Sequence, residues 1–125
     1  MHHYKSIEYL IQTLGDYINT SLSDKPSFAV KRTEKRVDSG IGNIKWSIEL
    51  TNYDSEKDIA AYTLEVRVEG GTVSREHTGF VKIERSNKGR VSGNTWKNFW
   101  REVIIPEVRS MKQAITSDKA KASQQ

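Results

Sequence analysis

The sequence predicts an α+β domain: a two-layer sandwich in which a four-stranded antiparallel meander carries an N-terminal and a C-terminal helix on one face, in the order α-β-β-β-β-α. Three observations lead there. Residues 5–22 place apolar side chains at helical spacing. Residues 27–85 alternate apolar and polar side chains between clusters of turn formers. Residues 94–115 return to helical spacing and hold two of the chain's three tryptophans.

The first helix is read from Ile7, Leu10, Ile11, Leu14, Ile18 and Leu22, which recur every three or four residues, with Tyr17 flanking the stripe. Ser6 is the expected N-cap and Glu8 suits the first turn. Gly15 costs roughly 1 kcal/mol relative to alanine in a helix interior, and it is compatible with a close approach by another element. "SDKPS" (23–27) ends the helix, because Pro26 disfavours helical geometry at Lys25.

Four strands are expected next. "SFAVKRTEKRV" (27–37) alternates at Phe28 and Val30 before it becomes charged. "NIKWSIELTNY" (43–53) alternates strictly, with Ile44, Trp46, Ile48 and Leu50 opposing Lys45, Ser47, Glu49 and Thr51. "IAAYTLEVRVE" (59–69) does the same through Tyr62, Leu64, Val66 and Val68. "REHTGFVKIER" (75–85) turns Gly79, Val81 and Ile83 one way and Thr78, Phe80 and Lys82 the other. One apolar and one polar face per strand marks an antiparallel sheet covered on one side. The connections "DSGIG", "DSEKD" and "EGGT" suit hairpins.

"SNKGRVSGN" (86–94) reads as a loop, and Asn94 or Thr95 as the cap of the last helical segment. There Trp96, Phe99, Trp100, Val103, Ile104, Val108, Met111 and Ile115 form an apolar stripe, in which Trp96 is expected to stay partly exposed. Pro106 lacks a backbone donor and biases Ile105 away from helix, so a kink or a junction of two helices is expected near Ile105. Four strands about 4.8 Å apart make a sheet roughly 19 Å wide, which two helices of about 10 Å diameter cover.

At 125 residues the chain fits one domain, expected over 1–116 with a disordered polar tail at 117–125. It has no cysteine, which excludes disulfides, a thiolate nucleophile and a cysteine-ligated zinc. No apolar run approaches the roughly 20 residues of a membrane span. The first residues, "MHHYKSIEYL", have no apolar signal core. A cytoplasmic location is the default expectation. The net charge is +4. The excess grows along the chain: residues 1–24 hold one basic and three acidic residues, residues 94–125 six and three. A mild excess permits an anionic partner without requiring one.

No motif assigns a catalytic residue, a cofactor or a metal. His2 and His3 lie near the N-terminus, and His77 has no acid or nucleophile at a diagnostic spacing. Glu49 and Glu65, on successive strands, are the nearest approach to a carboxylate pair. The informative residues are basic. Lys31, Arg32, Lys35 and Arg36 form "KRTEKR", whose structural explanation is protection of a sheet edge. Arg85, Lys88 and Arg90 surround Gly89 in a loop whose backbone amides suit an anion. Lys97 and Arg101 share neighbouring sectors of the last helical segment. The open sheet face is expected to carry Lys45, Glu49, Thr51, Tyr53, Thr63, Glu65, Arg67, Phe80 and Lys82.

The functional expectation is a small basic binding protein without enzymatic activity, contacting an anionic partner such as nucleic acid through Lys31, Arg32, Lys35, Arg36, Lys88, Arg90, Lys97 and Arg101. The alternative is a protein-protein interaction module, an inhibitor or adaptor, that uses the open sheet face or an edge strand.

Overall fold

A computed structural model describes the backbone of residues 3–22 and 27–123 and the side chains of residues 4–22 and 30–114. A single 3-10 turn, His3–Lys5, leads into α1, Ile7–Ser21. The strands are β1 (Ser27–Arg32), β2 (Arg36–Ile41), β3 (Ile44–Asp54), β4 (Ile59–Val68) and β5 (Ser74–Lys82). They form one antiparallel sheet in the order β1-β2-β3-β4-β5. The chain ends in α2 (Gly93–Phe99), a π-helical turn (Trp100–Ile104) and α3 (Ile105–Ser123).

The fold is therefore α+β with an antiparallel sheet, but the sheet has five strands, not four. The extra strand comes from "RVDSGI", of which "DSG" looks like a turn. Val37 and Ser39 are buried on β2, with Ile48 and Trp46 of β3 as their partners. Two small residues, Ser39 and Gly40, weaken the apolar alternation where the strand runs. The true turns flank it. Residues 33–35, inside "KRTEKR", close the first hairpin, with the Thr33 amide donating to the Arg36 carbonyl (2.9 Å). Gly42 and Asn43 close the second as a two-residue turn.

Ser6 caps α1 as expected, its hydroxyl accepting from the Tyr9 amide (3.2 Å). Leu10, Ile11, Leu14 and Ile18 are buried. Gly15 is the point of close approach: a Cβ there would collide with the Arg32 side chain, which crosses the helix to reach the Gln12 carbonyl and Asp16. The predicted end of α1 in "SDKPS" falls on residues 23–26, outside those described; the helix's last residue is Ser21, with Leu22 as its C-cap.

The cap of α2 differs from the expected one. Ser92, rather than Asn94 or Thr95, caps it and accepts from the Asn94 amide. Thr95 is instead buried, and its hydroxyl accepts from the Glu84 amide (2.9 Å) and donates to the Glu84 carbonyl (3.2 Å). Trp96 is only 2% exposed, against the expectation of partial exposure. Its indole nitrogen donates to the Thr13 hydroxyl of α1 (2.8 Å), which satisfies the ring's one polar group inside the core.

Pro106 is accommodated by the turn before it. In an α-helix its ring would clash with the carbonyl four residues back. Here the Ile105 amide reaches back five residues, to the Trp100 carbonyl, and the widened turn relieves that contact. The helix continues through Ser123, into the polar segment 117–125 that composition assigned to a tail. Trp100, Ile104, Val108 and Met111 stay buried across the junction, while Ile115 lies outside the described side chains.

One core gathers these residues with the apolar side of the sheet. Its centre is aromatic. Trp46 of β3 meets Trp100 edge-on (centroids 5.8 Å), and Tyr62 of β4 meets Phe99 of α2 in the same way (4.8 Å). A bulge between Leu50 and Asn52 shifts the phase of β3. Leu50 pairs with Tyr62 before it and Tyr53 with buried Ala60 after it, so Tyr53 turns to the core side instead of the open face. Trp46→Ala and Trp100→Ala are each expected to destabilise the fold by roughly 3–5 kcal/mol. Because the rings touch, the double variant should lose less than the sum of the two, as measured by urea unfolding.

Candidate anion-binding surface

The open face of the sheet is charge-matched within itself. Register places Lys31, Asp38, Ser47, Glu65 and Glu76 in one row across the strands. Arg36, Glu49 and Thr63 form the next. Arg36 donates to Asp38 (2.7 Å) and to the Ser47 hydroxyl (3.2 Å), and its pKa is raised chiefly by that hydrogen bond to Asp38. Lys45 pairs with Glu69 (3.2 Å), and Arg67 lies 3.5 Å from Glu65. Glu49 and Glu65 are not directly opposite: Glu49 faces Thr63, and Glu65 lies between Ser47 and Glu76. The signs are mixed rather than alternating, since Glu65 and Glu76 stand directly opposite each other, and a face with this many carboxylates offers a polyanion little net attraction.

At one end of the sheet, a half-buried ion pair gathers distant segments. Arg85 follows β5, and Asp58 ends the β3–β4 turn with a left-handed backbone (φ 56°). The guanidinium grips the carboxylate twice, Nε to Oδ2 and Nη2 to Oδ1, both at 2.9 Å. Nη2 also donates to the Tyr53 hydroxyl (2.9 Å), and Nη1 to the carbonyls of Tyr4 (2.5 Å) and Gly89 (3.1 Å). All five of its N–H groups have acceptors. The Tyr53 hydroxyl in turn donates to Asp58 (2.5 Å). Arg85 is thus consumed by the structure, although it sits in the basic loop that the sequence singles out.

Above this clamp lies a corner that the sequence does not announce. Tyr4 packs on Tyr9 (ring centroids 4.8 Å) and over the left-handed Gly89 (φ 82°), where a Cβ would stand 3.7 Å from the Tyr4 ring. Arg90 Nε donates to the Tyr4 hydroxyl (3.5 Å), and the Val91 amide to the Tyr9 hydroxyl (3.1 Å). Lys5 donates to the Ser55 carbonyl (3.3 Å). Tyr4, Lys5, Lys88 and Gly89 line a hollow of about 350 Å³. Among the described residues, Lys5, Lys88 and Arg90 form no ion pair with a carboxylate.

The eight expected contact residues divide accordingly. Lys31 and Arg36 stand on the open face, Arg36 paired. Arg32 turns to α1 and pairs with Asp16 (2.7 Å). Lys35 lies in the exposed turn between β1 and β2. Lys88 and Arg90 share the Tyr4 corner. Lys97 and Arg101 are exposed on α2 and the π turn. Lys5 and Tyr4 escape sequence reasoning because more than 80 residues separate them from Lys88 and Arg90, and no local pattern links them. His77 also gains partners only in the fold: Nε2 lies 3.1 Å from the Tyr62 hydroxyl, and Nδ1 3.9 Å from Glu107 of α3.

Comparison with protein-family models, with curated protein sequences and with solved structures returns no match. No helix among the described residues is long and apolar enough to cross a membrane.

The clamp has a pH signature at each end of the scale. The hydrogen bond from Arg85 holds the Asp58 carboxyl below its ordinary value, against the opposing effect of burial. Its contribution is therefore present above the unfolded value near 3.9 and is lost as pH falls through the lower folded value. Asp58→Asn is expected to cost roughly 3 kcal/mol at neutral pH, the low end for breaking a buried pair, since both groups keep some solvent contact. That difference from wild type should shrink in urea titrations at acid pH. Burial first, and then the hydrogen bond to Asp58, push the Tyr53 phenol up to about 12. Stability should accordingly decline as pH rises from about 10 to about 12, and Tyr53→Phe should remove that dependence. An absorbance titration of the phenols would show Tyr53 and Tyr62, the latter raised by burial, ionising late in wild type, and the Tyr53 component missing in the variant.

Proposed function

We propose that this protein is a small binding domain without catalytic function, and that it contacts the phosphate backbone of nucleic acid. The observation that carries the reading is the corner where Lys5, Lys88 and Arg90 meet around the Tyr4 ring with no contact ion pair to a carboxylate among the described residues, Lys5 acting on Asp58 only at longer range. Cations already matched to carboxylates, such as Arg32, Arg36 and Arg85, release little on meeting a phosphate. Unmatched ones displace condensed counterions, which drives association. Within the eight residues expected from sequence, the reading therefore rests on Lys88 and Arg90, with Lys5 added. Lys97 and Arg101 on the last helical segment, with Lys31 and Lys35, supply secondary contacts. The architecture belongs to the same proposal: helices on one face of the sheet leave the opposite face and the Tyr4 corner to solvent.

A second reading has its own observation. Phe80 is 78% exposed on the open face and borders a hollow of about 450 Å³ with Ile59, Ala61, Asn52, Asp54 and Lys57. A large exposed ring beside half-buried apolar residues suits a protein partner.

Fluorescence anisotropy with labelled oligonucleotides separates the two. Binding at low salt should weaken steeply as salt rises, and each of Lys5→Ala, Lys88→Ala and Arg90→Ala should lower the log–log slope by about 0.7–0.9. If neither single-stranded nor duplex oligonucleotide binds at low salt, the nucleic-acid reading is wrong. A protein partner whose binding is lost in Phe80→Ser and is insensitive to salt would then take its place.

A further inference from the structure

The Tyr4 corner has more than charge, and its shape selects among nucleic acids. The hollow of about 350 Å³ falls within the range of small-ligand sites. Its wall is the half-buried Tyr4 ring together with Lys5, Lys88 and Gly89. The ring is held from several sides. Tyr9 packs against it, its hydroxyl accepts from Arg90, its own carbonyl accepts from Arg85, and Gly89 brings the loop backbone close beneath it. A Cβ at residue 89 would only touch this ring, but the left-handed backbone there strains any residue other than glycine. A ring pinned in this way presents a fixed flat surface flanked by cations. A phosphate alone needs the cations but not the ring. A duplex offers phosphates but keeps its bases stacked inside. An unpaired nucleotide uses both, with its base on the ring and its phosphates on the ammonium and guanidinium groups.

We infer that this corner is a single-strand site, in which one unpaired base stacks on Tyr4 while Lys5, Lys88 and Arg90 hold the phosphates on either side of it. The inference rests on the nucleic-acid reading above and narrows it to one strand and one ring. It requires no reaction, metal or second protein.

The test uses the full chain, a labelled short oligothymidylate and a duplex of the same length. The single strand should bind more tightly than the duplex. Tyr4→Leu should weaken single-strand binding by at least about fivefold, the lower end for removing one base–aromatic stack, and leave the salt slope unchanged. Tyr4→Phe keeps the ring and should bind like wild type, which also guards against a folding defect in the leucine variant; thermal melts of both complete that control. Lys88→Ala with Arg90→Ala should instead reduce the salt slope, by about 0.7 for each cation on a single strand. Binding of the oligothymidylate that is unaffected by Tyr4→Leu would overturn the inference and leave the nucleic-acid reading intact. Equal affinity for the duplex would do the same. Thymidine monophosphate binding as tightly as the oligomer would replace a strand by a free nucleotide. Failure of the oligothymidylate and the duplex alike to bind wild type would remove both ideas together.

Discussion

One guanidinium holds the end of this molecule around Tyr4 together. Arg85 joins the 3-10 turn that precedes α1, the turn between β3 and β4, and the loop that follows β5. Its charge is balanced by Asp58 and each N–H is used, so it is a cation the protein can bury without leaving a polar group unsatisfied. The clamp sets the height of the Gly89 loop relative to Tyr4. It also explains the left-handed backbone of Asp58, a conformation an aspartate tolerates when its side chain is anchored.

The clamp sits on the same domain as a densely packed aromatic core. Two groups of edge-on contacts tie the sheet to the last helical segment: Trp46 of β3 meets Trp100, and Tyr62 of β4 meets Phe99, which in turn meets Trp96. Three hydrogen bonds cross the same region. Trp96 donates to Thr13 of α1, and Thr95 locks onto the Glu84 backbone just before the basic loop. The Trp46 indole nitrogen, by contrast, is buried with no partner among the described residues. An unmade bond of this kind costs about 1–3 kcal/mol, which the edge-on contact with Trp100 and the burial of the ring offset.

Charge is divided by role. On the open face, opposite charges satisfy one another, within a strand at Arg36–Asp38 and Arg67–Glu65 and between segments at Lys45–Glu69, and the same pairing discourages a polyanion there. On the α1 side, Arg32 is spent on Asp16. At the Tyr4 corner, cations gather around a ring, and the hydrogen bonds of Lys5 and Arg90 go to neutral oxygens. A net charge of +4 describes none of this, because the total does not record which carboxylate stands beside which cation.

Local pattern alone determined most of the secondary structure. Helical spacing located α1, strict alternation located β3, β4 and β5, and Pro106 marked the break that became a π turn. These follow from periodicities of 3.6 and 2, which neighbours in sequence already carry. Only the tertiary structure decided the rest. β2 counts as a strand because β1 and β3 pair with it, though "DSG" alone reads as a turn. Tyr53 faces the core because a bulge shifts its strand, and Trp96 is buried because Thr13 is there to receive its nitrogen. The candidate site belongs to the same group. Tyr4 and Lys5 meet Lys88 and Arg90 only when the sheet brings the two ends of the domain together, and contacts across such a separation leave no trace in the local order of residues.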